Sequence, residues 1–492
     1  MAAPLILAVD QGTSATKCAL VDRTGTIVAR GRAKLGEQHP RPGWVEQDAG
    51  EVWDSVRRAV ADCLDGWDPG RVAAVGFSTQ RESLVLWDRR SGEPLSPVIS
   101  WQDQRTGGIC DALRSEETER LVRERSGLPL DPMFSAAKAT WLLDAYDPDR
   151  ARARAGAVRL GTVDSWLLSC LSGEHLIEAG NASRTQLLDV RRVAWDEELL
   201  DLFGVPLAAL PRVVASSGPF PVVRGLAPLP DGVPLLAVMG DSHAALFAHG
   251  AAFAPGRVKA TYGTGSSVMG LVADPGSLTP GLCLTVAWQM AEPAFAAEGN
   301  IRSAGSALVW MAALLDMPVD ALVELGTRSE SRGVVLVPGF NGLGAPWWDR
   351  RAVGLLSDLS LGTGRAELAR AGLEAIVQQV ADVAEAIKAS ASIQELRADG
   401  GPSGNDALMQ MQADLLGLPV ARARDAELSA LGAAHMASLG AGIWSWDELE
   451  RLPRPCDRFD PAGGPAPRDA ARRQWRSAVG RAMGRPIEED TR

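Results

Sequence analysis

Cysteine and histidine are scarce in this sequence, and neither residue type is spaced for a disulfide framework or a metal site. The chain of 492 residues has six cysteines, which lie far apart and include no CxxC pair. This pattern favours buried free thiols in a reducing compartment. The five histidines form no pair at metal-binding spacing, and the HExxH motif is absent. The sequence therefore argues against a disulfide framework and against a histidine-based metal site.

Excess positive charge and long apolar runs are also missing. The formal net charge is −11, and an acidic surface does not attract nucleic acid or anionic membrane. No apolar stretch is long enough to cross a bilayer. The first apolar run, residues 5–9, has no basic residue before it and is too short for a signal peptide. We therefore expect a soluble, cytoplasmic protein without a nucleic-acid or membrane partner.

The length of the chain exceeds what one hydrophobic core usually organises, so two domains are expected. A segment rich in proline and glycine at 216–234 is followed by a new apolar run, which places a domain boundary there. We predict domains at 1–243 and 244–450, and a linker with a C-terminal helix in 451–492. The linker is predicted at 452–468, and the basic residues of the closing helix are expected on a solvated face.

Short apolar runs predict buried strands at 5–9 and 72–80. Turn residues predict one hairpin that turns at Thr24-Gly25 and another that turns near Ser91-Gly92. The pattern strand, glycine-threonine turn, strand returns at 257–273, which indicates weak internal symmetry of the kind found in two similar domains.

Helical spacing of apolar residues predicts helices over 51–64 and 373–387. A further helix is predicted after residue 404, with Asn405 or Asp406 as its N-cap.

Three glycine-rich loops carry small side chains and hydroxyl groups: DQGTS at 10–14, YGTGSS at 262–267 and ADGGPSGN at 398–405. Such turns expose backbone N–H groups that converge on phosphate oxygens. The first two match neither the Walker A motif nor GxGxxG, and each alone is more typical of an ordinary tight turn. Three such loops in one chain favour a nucleotide site.

Two acids follow buried strands. Asp10 precedes the first loop, where a carboxylate is useful if Mg²⁺, held through water, lies between it and phosphates. Asp241 ends the apolar run PLLAVMGD and is a candidate general base for an attacking hydroxyl. For both residues, the alternative is a carboxylate that caps a turn.

A third cluster joins Arg81 and Glu82, in STQRES, to Trp101, in VISWQD. A charged pair near the end of a buried strand is costly unless it is used. Arg81 can donate to vicinal hydroxyls and Glu82 can accept from them, while Trp101 can cover carbon-bound hydrogens. Trp101 taken alone is more often a core residue.

These motifs, together with GTVDSWLL, MGDSHAALF, VPGFNGLGAPWWD and DGGPSGNDALMQMQADLLG, resemble in order the FGGY family of carbohydrate kinases, and within it the glycerol kinases. The likeness covers nearly the whole chain. It implies an α/β, actin-like and hexokinase-like (ribonuclease H-like) fold of two domains around a cleft where ATP and a polyol meet. It also implies transfer of the γ-phosphoryl group of ATP to a primary hydroxyl, with Mg²⁺ as the metal. Family members often form dimers or tetramers.

The resemblance also assigns residue roles. By this resemblance, Asp10 corresponds to the residue that serves the metal, and Asp241 corresponds to the catalytic base. The phosphate contacts fall on Gly12, Thr13, Ser14, Lys17, Gly263, Thr264 and Gly265, and the rest of the nucleotide on Gly305, Gly401 and Asn405. The polyol pocket falls on Arg81, Glu82, Trp101, Met133, Asp241, Ser242 and Ser267.

The pocket departs from the glycerol-kinase pattern at three positions. Met133 stands where the family has Tyr, Ser242 where it has Gln, and Ser267 where it has Phe. Lys17 stands where Arg is common, which keeps the charge but loses the bidentate fork. The three pocket changes predict a larger and more polar site, suited to a tetritol, a pentitol or a ketose as the alternative to glycerol. Xylulokinases are less similar, because they carry Met-His-Gly where this chain has 80–82.

The alternative from another class of protein is a nucleotide-binding scaffold of the same fold. Such a scaffold has no need of the hydroxyl-binding cluster.

Overall fold

The computed structural model describes residues 3–254, 256–276 and 278–484. Strands lie at β1 Leu5–Gln11, β2 Ala15–Val21, β3 Ile27–Lys34, β4 Glu46–Gln47, β5 Val72–Thr79, β6 Leu84–Asp88, β7 Val98–Ile99, β8 Val158–Thr162, β9 Leu176–Glu178, β10 Leu188–Asp189, β11 Ala194–Trp195, β12 Arg212–Val214, β13 Leu235–Gly240, β14 Arg257–Tyr262, β15 Ser266–Val272, β16 Cys283–Gln289, β17 Pro293–Ile301, β18 Val335–Val337, β19 Leu355–Ser357, β20 Glu395–Asp399, β21 Val420–Ala423 and β22 Cys456–Phe459.

Helices lie at α1 Ala49–Cys63, α2 Gly107–Leu113, α3 Glu116–Ser126, α4 Ser135–Tyr146, α5 Ala151–Arg154, α6 Val163–Ser172, α7 Ala179–Ala182, α8 Glu197–Phe203, α9 Asp241–Ala248, α10 Gly305–Leu314, α11 Val319–Thr327, α12 Arg365–Lys388, α13 Asp406–Leu416, α14 Leu428–Gly440, α15 Trp446–Arg451 and α16 Pro465–Ala482.

The described residues fall into two compact units, each built from separate stretches of the chain. The first unit comprises the described residues of Met1–Phe253, Leu284–Ala296 and Glu427–Pro453. The second comprises those of Ala254–Cys283, Ala297–Ala426 and Arg454–Arg492. The boundaries predicted at residues 243 and 450 divide the chain into consecutive segments, whereas each compact unit combines separate stretches. The predicted boundaries therefore stay a prediction.

The first unit is built on a five-stranded sheet with the order β13-β5-β1-β2-β3. β1 runs antiparallel to β2 and parallel to β5, and β13 runs parallel to β5. The strands predicted at 5–9 and 72–80 are therefore confirmed, and so is the hairpin that turns at Thr24-Gly25, which joins β2 to β3. Burial of apolar side chains from β1, β5 and α1 forms the core of this sheet.

The second predicted hairpin is only partly present. The chain turns at Gly92, but β6 pairs with β7 at one position, Leu84 with Ile99, and pairs along its length with β8 instead. These strands form a separate four-stranded sheet with the order β4-β7-β6-β8. The partner of β6 comes from about 70 residues further along the chain, so turn residues alone do not predict it.

The second unit contains strands in the order β17-β15-β14-β20-β21-β22. β14 is antiparallel to β15 and parallel to β20, and β20 is parallel to β21. This arrangement repeats the β2-β1-β5-β13 arrangement of the first unit. The internal symmetry predicted from the two strand-turn-strand segments is confirmed.

The linker predicted at 452–468 is wrong in part. Residues Cys456–Phe459 form β22, which pairs antiparallel with β21, and α16 begins at Pro465. The solvated face predicted for the closing helix is also wrong at one position. Arg472 is buried, because it donates to the carboxylates of Asp382 and Glu385 on α12. The last residues of the predicted C-terminal segment, 485–492, lie outside the described residues.

The predicted free thiols are confirmed, since none of the six cysteines forms a disulfide. Their predicted burial holds for four of them, whereas Cys170 and Cys456 are half-buried. Within 3–254, 256–276 and 278–484, no single helix is long and apolar enough to cross a membrane. In the same described residues, one pair of helices, α10 and α11, is together long and apolar enough by length and composition alone, with a bend of 100° between the two helices.

Candidate active site

The first glycine loop joins β1 to β2 and follows Asp10 directly. The Gly12 N–H donates to the Ala15 carbonyl oxygen at 3.1 Å, which closes the turn. The Asp10 carboxylate is half-buried and accepts a hydrogen bond from Ser78 Oγ at 2.6 Å. Burial raises the pKa of Asp10 to about 6; the charge of Asp241 adds to the rise, and the Ser78 hydrogen bond and Lys17 offset part of it.

Parallel strands bring three predicted residues to one edge of the first unit's sheet. β1, β5 and β13 are neighbours and run in the same direction. Asp10 lies near the end of β1, Arg81 follows β5, and Asp241 is the first residue of α9, directly after β13. Since parallel strands present their carboxyl ends at the same edge, residues distant in sequence converge there.

Arg81 and Asp241 form an ion pair at this edge. Arg81 Nε lies 3.3 Å from Asp241 Oδ1. The Arg81 side chain is 6% exposed and that of Asp241 is 37% exposed, so the carboxylate is the accessible member of the pair. Ser242, the next residue of α9, is half-buried, and its backbone N–H donates to the Asp241 carboxylate.

Glu82 is held in the left-handed region of backbone space, with φ of 61°. A non-glycine residue in this region is strained, and such strain is typical of functional sites. Its buried carboxylate accepts a hydrogen bond from Arg184 Nε at 2.6 Å, and its carbonyl accepts one from Ser135 Oγ at 2.9 Å. Glu82 is thus fixed both at the backbone and at the side chain.

Trp101 connects the predicted polyol residues to the first glycine loop. Its Nε1–H donates to Thr13 Oγ1 at 3.0 Å, and its backbone N–H donates to Ser83 Oγ at 3.0 Å. The ring is half-buried rather than enclosed in the core. The alternative of an ordinary core tryptophan therefore does not describe this residue.

Buried glutamine side chains hydrogen-bond to the first glycine loop and to one another. Gln47 Nε2 donates to the Thr13 carbonyl oxygen at 2.6 Å. Gln80 Nε2 donates to the side-chain oxygens of Gln47 and Gln11 at 3.0 and 3.1 Å. All three glutamines are buried, and such networks rigidify a site when every member is paired.

Met133 lies in a short turn whose backbone is held by a buried lysine. Lys138 Nζ donates to the carbonyl oxygens of Pro132, Met133 and Phe134 at 2.6, 2.6 and 3.2 Å. Burial lowers the pKa of Lys138 to about 8, and the neighbouring carboxylates offset part of this effect. The position of Met133 therefore depends on an ammonium group buried behind it.

Sequence reasoning did not single out Arg184, Lys138 or the three glutamines. Arg184 and Lys138 both occur in motifs that carry the family resemblance, GNASRT and MFSAAKATW. One signal was available there, because a lone charge among small and apolar residues is costly to bury without a partner. The sequence does not show which residue pairs with each of these charges.

In the second unit, the glycine loop after β14 carries the start of α10. The carbonyl oxygen of Gly263 accepts from the Gly305 N–H at 2.9 Å, and that of Thr264 accepts from the Ala304 and Ser306 N–H groups at 2.9 and 3.1 Å. A Cβ on residue 305 would lie 2.7 Å from the Gly263 carbonyl oxygen, so only glycine fits. The structure therefore brings together Gly263, Thr264 and Gly305.

The third glycine loop is the 3₁₀ turn Gly401–Gly404 before α13. Pro402 in this turn lies near Gly305, since a Cβ on residue 305 would be 3.6 Å from Pro402 Cγ. A Cβ on residue 401 would have no other atom within 4 Å. Asn405 caps α13 by accepting from the Leu408 N–H at 2.9 Å, which confirms one of the two predicted N-caps.

Two predicted residues of the second unit lie on β15 or just before it. Gly265 comes so close to the backbone that a Cβ there would lie 2.4 Å from the Ile301 carbonyl oxygen. Ser267 is half-buried on β15, opposite Thr261 of β14. The other predicted polyol residues belong to the first unit, so the three departures from the family pattern are divided between the units.

The residues around Asp10 suit a hard cation. In the described part of the chain, no group of three or more His, Cys, Asp or Glu side chains could hold a metal ion directly. Mg²⁺ often keeps several waters and binds through one or two carboxylates plus substrate phosphates. Asp10 provides an oxygen donor of this kind, and a cation beside it would balance the burial and the charge of Asp241 that raise its pKa.

Two family models match this chain. The N-terminal domain of the FGGY family of carbohydrate kinases matches residues 5–248, and the C-terminal domain of the same family matches residues 258–441. Among curated proteins, the apulose kinase of Pectobacterium atrosepticum is 43% identical over 99% of this chain and 100% of that protein. The glycerol kinase of Aromatoleum aromaticum is 44% identical over 97% of this chain and 99% of that protein.

A solved structure agrees with these relatives. The crystal structure of Plasmodium falciparum glycerol kinase with ADP has a TM-score of 0.88 and 27% sequence identity, and it covers 98% of both chains. The actin-like and hexokinase-like (ribonuclease H-like) fold class expected from sequence is confirmed by this likeness and by the strand order in each unit.

Proposed function

Because the chain belongs to the FGGY family of carbohydrate kinases, we propose that it transfers the γ-phosphoryl group of ATP to a primary hydroxyl of a small polyol or sugar, as a glycerol-kinase-like enzyme. The observation that carries this proposal is the ion pair of Arg81 and Asp241, 3.3 Å apart, beside the buried pair of Glu82 and Arg184. A partly exposed carboxylate can accept the proton of a hydroxyl bound within hydrogen-bond reach, and the guanidinium beside it can donate to the same substrate.

Each residue of this edge has a proposed role. Asp241 orients the primary hydroxyl and accepts its proton. Arg81 donates to further hydroxyls of the substrate, Glu82 accepts from them, and Trp101 covers the carbon-bound hydrogens. The hydroxyl oxygen then forms a bond to the γ-phosphorus while the bond to the leaving oxygen of ADP breaks in line.

The nucleotide is assigned to the glycine loops. Backbone N–H groups and hydroxyls at Gly12, Thr13 and Ser14, with Lys17, are proposed to bind phosphate oxygens, as are Gly263, Thr264 and Gly265. The rest of the nucleotide is assigned to Gly305, Gly401 and Asn405. Support comes from the contacts among Gly263, Thr264, Gly305 and the 401–404 turn within the second unit.

Mg²⁺ is proposed at Asp10, through water. When bound, it would neutralise charge on the ATP phosphates. Ser78 keeps the Asp10 carboxylate oriented toward the edge where β1, β5 and β13 end.

A nucleotide-binding scaffold of the same fold does not account for these features. A scaffold has no use for a buried arginine on each of two carboxylates, and buried ion pairs are seldom kept for stability alone. The relatives of this chain include an apulose kinase and glycerol kinases that are 39–44% identical over nearly the whole chain.

A longer polyol or a ketose is the second candidate substrate. Met133 and Ser242 replace residues that the glycerol-kinase pattern makes larger or longer, and both are half-buried in the first unit. Similarity to an apulose kinase at 43% identity favours the same candidate. Both candidates share the reaction and differ only in the acceptor.

The test is ADP release with Mg-ATP across glycerol, erythritol, threitol, the pentitols, dihydroxyacetone and common ketoses, with Asp241→Asn as the control. A wide preference for glycerol would support the glycerol-kinase-like proposal. A preference for a longer polyol or ketose would support the second candidate, and reversion of Met133, Ser242 and Ser267 to the glycerol-kinase residues would then follow. ATP turnover that no acceptor stimulates would overturn the proposed function.

The remaining expectations stay predictions: a cytoplasmic location, the absence of nucleic-acid and membrane partners, and a homodimer or homotetramer.

A further inference from the structure

His243 is a buried residue of α9, two positions after Asp241, and its ring reaches the same arginine. His243 Nε2 lies 3.3 Å from Arg81 Nη1 and 3.2 Å from Thr285 Oγ1. The exposed fraction of His243 is 0%, so this contact is made without competing solvent. Two residues of one short segment therefore converge on the guanidinium of Arg81.

The chemistry of arginine determines the form of the histidine in this contact. A guanidinium has only donors, so a hydrogen bond from Arg81 Nη1 requires a lone pair on His243 Nε2. We therefore assign the imidazole as neutral, with its proton on Nδ1 and with Nε2 as the acceptor for Arg81 Nη1. An imidazolium would instead direct an N–H at the guanidinium and place two positive charges 3.3 Å apart.

The segment 240–243 restrains Arg81 at three points. Gly240 leaves space for its stem, because a Cβ at residue 240 would lie 2.6 Å from Arg81 Cδ. Asp241 Oδ1 lies 3.3 Å from Nε, and His243 Nε2 lies 3.3 Å from Nη1. The junction between β13 and α9 therefore gives the Arg81 stem its space at Gly240 and contacts Nε and one terminal nitrogen through two further residues.

The ring of His243 is itself enclosed. A Cβ on residue 180 would lie 2.9 Å from His243 Nδ1, so the turn at Gly180 packs directly against the imidazole. On the other side of the ring, Thr285 is held by a 2.8 Å hydrogen bond to Ser183 Oγ. The imidazole therefore cannot turn away from Arg81 without moving α7 or the backbone at Thr285.

We propose that His243 is a positioning residue for substrate recognition: as a neutral acceptor it fixes the Arg81 guanidinium beside Asp241, ready to bind the acceptor's hydroxyls. This inference rests on the proposed function, since it gives Arg81 the substrate-binding role. His243 touches Arg81 and not the reacting atoms, so its loss weakens acceptor binding more than it slows phosphoryl transfer.

The kinetic test compares His243→Leu, which removes the acceptor atom, with His243→Gln, whose amide oxygen can accept from Arg81. His243→Leu is expected to raise KM for the preferred acceptor about 10-fold or more, the effect of losing one hydrogen bond to a charged group. The kcat is expected to stay within about 3-fold and KM for ATP to stay unchanged. His243→Gln is expected to return KM for the acceptor to within about 3-fold of the parent value.

His175→Gln is the matched control. His175 is a histidine of the same unit whose Nε2 lies 3.0 Å from the Leu160 carbonyl oxygen, away from Arg81. This variant is expected to leave both KM values within about 2-fold. Equal impairment of His243→Gln and His243→Leu, or a parallel rise in KM for ATP and for the acceptor, would overturn the inference.

A measurement without substrate separates this inference from the proposed function. The chain has five histidines, so ¹⁵N-histidine NMR resolves few signals, and His243→Gln assigns the one of interest. Nε2 of His243 is expected to carry no proton and to shift in Arg81→Met. A protonated Nε2, or a signal indifferent to Arg81→Met, would overturn the positioning role even if no acceptor is ever found. Failure of the acceptor panel together with the expected NMR result would overturn the proposed function only.

Discussion

At the scale of single residues, the candidate site rests on two buried arginines, each paired with one carboxylate. Arg184 is fully buried, and its Nε lies 2.6 Å from Glu82 Oε1. Removing one member of a buried pair leaves the other charge without compensation, which costs more than the pair contributes. Glu82 also carries backbone strain, so its position depends on the contacts around it.

Arg184→Met is expected to lower the free energy of unfolding by about 3–5 kcal/mol, because it leaves the Glu82 carboxylate buried beside an apolar side chain. Urea unfolding followed by circular dichroism measures the change. The double variant Arg184→Met, Glu82→Gln is expected to be more stable than Arg184→Met alone, since the uncompensated charge is gone. A double variant no better than the single would show that packing of Arg184, not its charge, is what matters.

Trp101→Phe is expected to raise KM for ATP by about 5-fold, because it removes the hydrogen bond of 3.0 Å that holds Thr13 in the first glycine loop. The phenyl ring keeps the apolar surface, so KM for the acceptor is expected to change less. Steady-state kinetics of Trp101→Phe, Thr13→Val and their double variant give the coupling between the two. Strictly additive effects would contradict a role for this hydrogen bond.

At the scale of elements, the first unit depends on a helix from the far end of the chain. α14 packs against β1, β5, β13 and α9. The approach to α9 is so close that a Cβ on residue 432 would lie 1.8 Å from the Ala244 carbonyl oxygen. α9 carries Asp241 and His243, so this helix crossing also sets how far the first residues of α9 lie from the sheet.

Gly432→Ala is expected to destabilise the protein by about 3 kcal/mol or more, because the added methyl group overlaps backbone that cannot retract. Thermal unfolding measures the loss, and ADP release at a temperature below unfolding measures any displacement of Asp241. Gly480→Ala is the matched control: residue 480 lies inside α16 with no atom within 4 Å of a new Cβ. It is expected to stabilise by up to about 1 kcal/mol through helix propensity. Equal effects at the two positions would contradict the close crossing.

In the closing helix α16, the helical periodicity of the sequence does not show which basic residue is buried. Its basic residues look alike in sequence, yet Arg472 is buried on Asp382 and Glu385 while Arg473 is exposed. Trp475 Nε1 donates to the same Asp382 carboxylate at 2.7 Å. Which basic residue of an amphipathic helix is buried depends on where the carboxylates of the facing helix lie, and a single helix does not contain that information.

At the scale of the whole molecule, the pH dependence of stability is a sum of contributions of opposite sign from different titratable groups. Burial raises the pKa of Glu178 to about 7 and that of Asp164 to about 6. Their neutral forms are favoured in the folded state, so this contribution is complete at low pH and is lost as pH rises from about 4.5 through 7. Burial lowers the pKa of His175 to about 4, and its contribution runs the other way, rising with pH from about 4 to 6.5.

A variant isolates one contribution from this sum. Relative to the parent chain, Glu178→Gln is expected to gain about 3 kcal/mol in free energy of unfolding between pH 4.5 and pH 8, because the variant has no carboxylate to ionise there. Its lost hydrogen bonds to Gly180, Asn181 and Ser216 shift stability equally at all pH values. Urea unfolding at six pH values measures the slope. Glu174→Gln, at an exposed position, is expected to show none; a flat difference for Glu178→Gln would contradict the raised pKa.

Much of this molecule was predictable from short stretches of sequence. Glycine loops, strand ends and N-caps depend on residues within a few positions of one another, and so Asn405 caps α13 as its local sequence predicts. The long-range partners were not predictable in this way. Arg184 meets Glu82 across 102 positions, and His243 meets Arg81 across 162.

The sequence by itself determined the α/β class, the two repeated strand-turn-strand cores and the family, because each depends on local periodicity or on contiguous motifs. Only the tertiary structure decided which charges are neutralised by which partners. Parallel neighbours β1, β5 and β13 end at one edge, and that edge collects Asp10, Arg81, Asp241 and His243 from distant stretches. A buried charge is stable only beside its partner, and the order of strands in a sheet, which no local pattern encodes, determines which residues become neighbours.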